Sequence, residues 1–178
     1  MADHTSHVAS MRAIHIFPDF SESGCIEAVR ERFDPLAAHI QHHVTLVFPF
    51  QLPVSDEQVS EHVADVAKMF DTFTLGVGPA QAVDEDQVWL PVTTGASTVT
   101  KLHQSLYTGI LAEVRNNEIP YQPHITIARV PADQQAEALQ AAGALKDGFH
   151  TTIRHLVIER IAKDGSSQIV SLIPLGSL

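Results

Sequence analysis

Residues 122–130, QPHITIARV, are the stretch on which the reading of this chain turns. Side chains two apart share one face of a β-strand, so His124 and Thr126 point one way while Ile125 and Ile127 point the other. Taken alone, an H-x-T strand is accounted for by a half-exposed strand whose polar face meets water. A second copy changes that. HHVTLVF, residues 42–48, places His43 and Thr45 on one face and Val44 and Leu46 on the other. Each copy is followed by a proline and then a helix start carrying Asp and Gln, LPVSDEQ at 52–58 and VPADQQ at 130–135. A strand with H-x-T, a short proline turn and an acid-capped helix, once in each half, point to an internal duplication. Two look-alikes lack this context. His150 and Thr152 in GFHTTIRHL follow Gly148 with no helix start at the right distance, which suits the wet face of an outer strand. His4-Thr5-Ser6 lies in a terminus expected to be mobile.

The segments around the motifs supply the other elements. Ala13 to Phe17 is a strand candidate, and a helix is expected near Ser21 to Phe33 with Ile26, Val29 and Phe33 on one face. Pro49 and Pro53 are expected to end the first motif strand before a helix in which Val59, Val63, Val66 and Phe70 recur at helical spacing. Ser55 and Gln58 form a capping box there. TFTLGV (72–77) and VWLPV (88–92) alternate as strands on either side of an acidic polar loop, with Pro91 marking an edge or a bulge. A long helix is expected from Ser97 to about Val114 on the spacing of Leu102, Leu106, Ile110 and Val114, and another near Asp133 to Leu145. TIRHLVIERIA and QIVSLIPL then form a hairpin about Lys163-Asp164-Gly165.

Composition narrows the function classes. Eleven basic against twenty-one acidic residues give a net charge of −10 in 178 residues, which argues against broad adhesion to nucleic acid or to an anionic membrane. A phosphate site would have to be small and locally built. A single cysteine, Cys25, excludes an internal disulfide framework and is expected to be an inert, partly buried thiol in a reducing compartment, with a weak nucleophile as the alternative. MADHTSHVASM has no apolar leader core, and no window approaches the length of a membrane span, so a cytosolic protein is expected.

HHVTLVF and QPHITIARV resemble the two signature motifs, His-apolar-Thr-apolar, of the two-histidine (2H) phosphoesterase superfamily, in particular its 2'-5' RNA ligase-like and cyclic phosphodiesterase branch. The resemblance spans roughly residues 12 to 175. It implies an α+β fold with two pseudo-symmetric lobes, each an antiparallel sheet with outer helices, facing across a central groove floored by the two motif strands. The whole chain, 1–178, is then one bilobal domain with residues 1–11 a flexible N-terminus. His43 and Thr45 would come from one lobe, His124 and Thr126 from the other.

Cleaving a phosphodiester takes a base to activate the attacking oxygen and an acid to protonate the leaving one. An imidazole titrates near pH ~6.5, so two can share these roles around neutrality. Two threonine hydroxyls can hold the non-bridging phosphoryl oxygens. His43 and His124 are the catalytic candidates, with Thr45 and Thr126 as substrate-binding groups; no metal and no cofactor is required. The substrate would be a nucleotide or RNA end with a 2',3'-cyclic phosphate or a 2'-5' linkage, with no membrane partner and a monomer as the default. Which histidine is acid and which base stays open.

Arg129 lies three residues beyond Thr126, so a regular strand would turn it away from the motif face, leaving it to curl round the rim or to form a structural salt bridge. Tyr121, Phe48 and Trp89 are candidates for stacking on a nucleobase, with core packing as the alternative for each. His42 should face opposite to His43 and be structural, and His15 should be core or rim. His39, His42, His43, His62 and His103 invite a metal reading, but they lack a second cluster at ligand spacing. The runner-up function is a non-catalytic module that binds a nucleotide or phosphorylated ligand in the same groove.

Overall fold

The computed structural model describes residues 10–145 and 148–176. Nine strands form one antiparallel sheet: β1 (Met11–Ile16), β2 (Val44–Phe50), β3 (Phe73–Val77), β4 (Gln81–Val83), β5 (Gln87–Thr94), β6 (His124–Arg129), β7 (Phe149–Ile153), β8 (His155–Ile161) and β9 (Ser167–Pro174). Four helices accompany them: α1 (Ser23–Phe33), α2 (Asp56–Ala67), α3 (Ala96–Leu106) and α4 (Gln135–Ala142). The strand order is β7-β3-β5-β6-β2-β1-β8-β9, with β4 paired to β5. The motif strands β2 and β6 therefore meet at the middle, with four strands of the path in each half.

The helices form where the apolar spacing places them. Ile26, Val29 and Phe33 are the buried stripe of α1, which ends at an extended Asp34 ahead of Pro35. The Ser55–Gln58 capping box starts α2, whose Val59, Val63 and Val66 face the core. Arg12 pins the connection between β2 and α2 by donating to the carbonyls of Leu52 and Val54.

Three expectations are corrected. The helix expected from Ser97 to Val114 stops at Leu106, because the chain turns at Tyr107 and passes through Gly109 at φ +53° into a 3-10 turn, Gly109–Val114. The acidic loop between the third and fourth predicted strands is itself a hairpin, β4 to β5, turning at Asp84 with φ 50°, a conformation Asp tolerates. Pro49 does not end β2, which continues to Phe50, and Met11 already opens β1; residues 1–9 of the expected loose N-terminus, His4 included, lie outside the described residues.

The halves of the sheet are not the halves of the sequence. β3 follows α2 yet pairs with β5, and β8 follows β7 yet pairs with β1. The helices cross over as well: α1 packs on β6 and α3 on β2. Between β7 and β8 stands one residue, Arg154, so the chain passes directly from one end of the strand path to the opposite half.

The join between the halves is narrow. β2 and β6 share one register pair, Val44 opposite Ile125, both fully buried. Beyond it the strands diverge, and side chains bond the β2 backbone instead. Tyr121 Oη donates to the Thr45 carbonyl at 2.8 Å, His103 Nδ1 to the Leu46 carbonyl at 2.8 Å, and the Phe48 amide donates to Tyr107 Oη at 3.0 Å. Tyr121 also lies flat on His103, ring centroids 3.6 Å apart. A buried carbonyl that loses its donor costs about 1–3 kcal/mol. Tyr121→Phe should therefore lower the free energy of unfolding by that amount in urea titration, while Tyr121→Leu, which also loses the ring stack, should cost more.

Candidate functional site

His43 immediately precedes β2 and His124 opens β6. The antiparallel pair Val44–Ile125 brings each histidine alongside the threonine of the other strand. Both rings are held in the same way. His43 Nδ1 meets the Gln41 carbonyl at 2.7 Å and His124 Nδ1 the Gln122 carbonyl at 2.6 Å. A carbonyl only accepts, so Nδ1 carries the hydrogen in both rings, and Nε2 is left as the lone-pair nitrogen with no partner among the described residues. The hydroxyls of Thr45 and Thr126, half-buried beside them, likewise have none.

Arg129 is not turned away, which corrects the expectation from strict alternation. Val88 pairs with Ala128 but Trp89 pairs with Thr126, so Ile127 is an extra residue, a β-bulge. Ile127 and Ala128 are both fully buried, and the phase of the strand resets so that Arg129 joins His124 and Thr126 on the half-exposed side. β2 has the matching device: Ile14 pairs with Val47 and His15 with Thr45, leaving Leu46 as the extra residue, with Leu46 and Val47 both buried. Phe48 thereby occupies in β2 the place of Arg129 in β6, and it is 49% exposed.

Arg129 is also ion-paired, as its structural alternative had it. It donates to Asp34 Oδ1 at 2.6 Å, and Arg30 holds Asp34 Oδ2 with Nε at 3.1 Å and a terminal nitrogen at 3.0 Å. Arg30 is also paired with Glu27, which accepts from the amide of His42 and from His42 Nδ1. One polar network thus runs from the buried end of α1 to the rim of the motif face. Sequence reasoning passed over Arg30 and Asp34; their signal was an i, i+4 pair in RERFDP, just ahead of the helix-ending proline.

The ring neighbours of the two histidines differ. Trp89 stacks on His124 with centroids 3.5 Å apart and planes 8° from parallel. His15, at the corresponding place in β1, meets His43 edge-on at 4.5 Å and lies 3.5 Å from Glu159, both buried. Burial drives the His15 ring well below its ordinary pKa, aided by His43, and raises the Glu159 carboxyl. Tyr121 is occupied in packing on His103 and bonding Thr45. His42 is buried, with Nε2 on the Pro18 carbonyl at 2.8 Å, and His150 is exposed on the edge strand β7. Cys25 corrects the expectation of a partly buried thiol: it is exposed in the first turn of α1, off the buried stripe. Among the described residues no three His, Cys, Asp or Glu side chains are grouped to hold a metal ion.

Burial pushes the pKa of His43 down to about 4, with Arg30 and Arg129 adding to the fall and the Gln41 carbonyl and Asp34 opposing it. Burial likewise takes His124 to about 4, with Arg129 adding to it and the Gln122 carbonyl opposing. Without ligand, both rings are neutral near pH 7.

The family model of the 2'-5' RNA ligase superfamily matches residues 17–165, and the chain belongs to that superfamily. A Bacillus licheniformis protein provisionally named a phosphoesterase is 24% identical over 144 residues, 79% of this chain and 83% of that one. A Geobacillus protein named in the same way is 31% identical over 121 residues, 65% of this chain and 67% of that one. The crystal structure of Escherichia coli LigT complexed with 3'-AMP superposes with a TM-score of 0.64 at 18% identity, covering 95% of this chain and 99% of that one. A crystal structure described as a phosphoesterase gives 0.58 at 18% identity over 95% and 99%. The structural likeness bears on the fold, α+β with two related antiparallel half-sheets.

Two outcomes follow for the isolated protein. Asp34→Asn removes the carboxylate from between two guanidiniums, leaves Arg30 buried with less compensation, and should cost about 3–5 kcal/mol in chemical denaturation. The depressed histidines bind more protons unfolded than folded between pH ~4 and pH ~6.5, so stability rises with pH across that window and falls as pH drops through it. Melting temperatures should decline from pH 7 to 4.5, less steeply in a His43→Gln/His124→Gln double variant.

Proposed function

We propose that this chain is a metal-independent phosphodiesterase that opens 2',3'-cyclic phosphates or cleaves 2'-5' linkages at nucleotide or RNA ends. The observation that carries the reading is the matched tethering of His43 and His124, each with Nδ1–H on a carbonyl two residues back and Nε2 free toward the shared face. Two lone-pair nitrogens so presented are suited to proton transfer on either side of one phosphorus. The superfamily membership supports it, as do solved complexes of LigT with 3'-AMP, phosphate, ATP and NADP+, each a phosphate or a phosphate-bearing molecule.

In the hydrolytic direction one Nε2 takes the proton of an attacking water while the other, protonated, gives its proton to the leaving ribose oxygen. The Thr45 and Thr126 hydroxyls donate to the non-bridging oxygens, and Arg129 supplies a positive charge held in place by Asp34. A bound phosphate anion raises the pKa of the neighbouring imidazoles, so the working protonation state is assembled with the substrate. The Trp89 face lies against His124, an arrangement that favours an imidazolium there and supports giving the proton to that ring. His124 is then the acid and His43 the base. Phe48, exposed on the same face, offers an apolar platform for a nucleobase.

The test is turnover of 2',3'-cyclic nucleotides and 2'-5' linked dinucleotides in EDTA from pH 5 to 9. A bell-shaped profile is expected, with His43→Ala and His124→Ala each losing about 10²–10⁴-fold in kcat. Saturable binding with no turnover of any substrate would sink the enzyme reading and leave a nucleotide-binding module. Trp89→Leu should move the alkaline limb to lower pH, whereas Trp89→Phe should largely restore it.

A further inference from the structure

The sheet continues the motif face outward in one direction. His15 pairs with Thr45, Val157 with His15, and Leu172 with Val157, so a single cross-strand row leads from the β2 motif over β1 and β8 to the edge strand β9. Leu172 and Ile169 on β9 are each 59% exposed. Above this row is a cavity of about 520 Å³, walled by the Thr151–His155 segment where β7 crosses to β8, and reached from the site past Phe17 and Gln41. Gln41 is the residue whose carbonyl tethers His43, and the Phe17 ring lies 6.0 Å from that of His43. Cavity and motif face are therefore contiguous.

The lining has two chemistries. Phe17, Val157, Ile169 and Leu172 make an apolar floor, while Thr151, Thr152 and Arg154 stand on the wall. Arg154 is exposed and has no carboxylate partner among the described residues, in a chain carrying almost twice as many acidic as basic groups. Asp19 also lines the cavity and would repel an anion on its own side, which places any phosphate toward Arg154.

We propose that this cavity is a subsite for a second nucleotide of the substrate, its base on the apolar floor and its outer phosphate or ribose hydroxyls on Arg154 and the threonines. Phe48 stands five residues beyond His43 on β2 while the cavity lies across β1 towards β8 and β9, so the two offer separate places for the nucleosides that flank the scissile phosphate. The volume falls in the range of small-ligand sites and is ample for one nucleotide. For the ligand's identity this rests on the phosphodiesterase reading, and it selects within that reading. The preferred substrate is a dinucleotide or RNA end, and a cyclic mononucleotide fills only half of the site.

Two measurements separate this from the reading beneath it. The first compares kcat/KM for a 2'-5' linked dinucleotide carrying a terminal phosphate with that for a 2',3'-cyclic mononucleotide, in the native protein, Arg154→Ala and Leu172→Ser. The second measures the dissociation constants of the same dinucleotide and of a 3'-mononucleotide in the His43→Ala background, with and without Arg154→Ala. Arg154→Ala should reduce dinucleotide turnover about tenfold, as for a lost bond to a charged group, Leu172→Ser should reduce it by a similar factor through lost apolar contact, and each should alter mononucleotide turnover less than twofold. Dinucleotide binding should weaken in parallel. Equal losses for both ligands, or none for either, would overturn the subsite. Absence of turnover in the native protein with the binding difference intact would instead remove the enzymatic reading and keep the cavity as a nucleotide site.

Discussion

The whole arrangement depends on one backbone contact, the pairing of Val44 with Ile125. It joins the half-sheets, and because the motif residues flank it on both strands it also sets each histidine beside the other strand's threonine. So short a ladder could not hold the two half-sheets together by itself. The crossed helices make up the difference, since α1 lies on β6 and α3 on β2 across the seam. Tyr121, His103 and Tyr107 act as hydrogen-bonding surrogates for the strand that β2 lacks beyond Val44. The narrow seam keeps the histidines on separate strands, close enough to share a phosphate, without filling the space between the strands with a continuous ladder.

The two bulges, at Leu46 and Ile127, convert a repeated pattern into an asymmetric site. A regular strand shows its polar face at every second position, so a third useful side chain would need a polar residue four beyond the histidine. The extra residue moves that place to the fifth, and the chain puts phenylalanine there in one copy and arginine in the other. Similar divergence at the ring neighbours, His15 in β1 and Trp89 in β5, makes the environments of the two imidazoles unequal while their tethers remain the same.

Much of this could be seen in the linear chain. The period-2 alternation around His43 and His124, their repeated flanks and the apolar stripes of α1 and α2 are local signals, and each describes what formed. The bulges were hidden because Leu46-Val47 and Ile127-Ala128 are apolar pairs that fit a buried strand in either phase. The end of α3 was hidden because Ile110 and Val114 continue the helical spacing beyond Gly109, whose left-handed φ breaks the helix. The Arg30–Asp34–Arg129 network was hidden because its members are 95 residues apart at the far contact, a pairing that only the tertiary fold creates. Partner choice at the sheet level, β3 with β5 and β8 with β1, has no local signature at all.

That exchange of strands and helices means that neither half of the chain is complete alone. A half-length chain ending after β3 would carry β1, α1, β2 and α2, yet its last strand would have no β5 to pair with and its first helix no β6 to cover. Two identical copies would satisfy each other, each lending a strand and a helix across a two-fold axis. Two such half-length copies could close the sheet only as an interlocked dimer, with one histidine per subunit in a shared site. Carrying both halves in one chain removes the identity a symmetric dimer would impose, which is the condition for one imidazole to rest against a tryptophan and the other against a histidine.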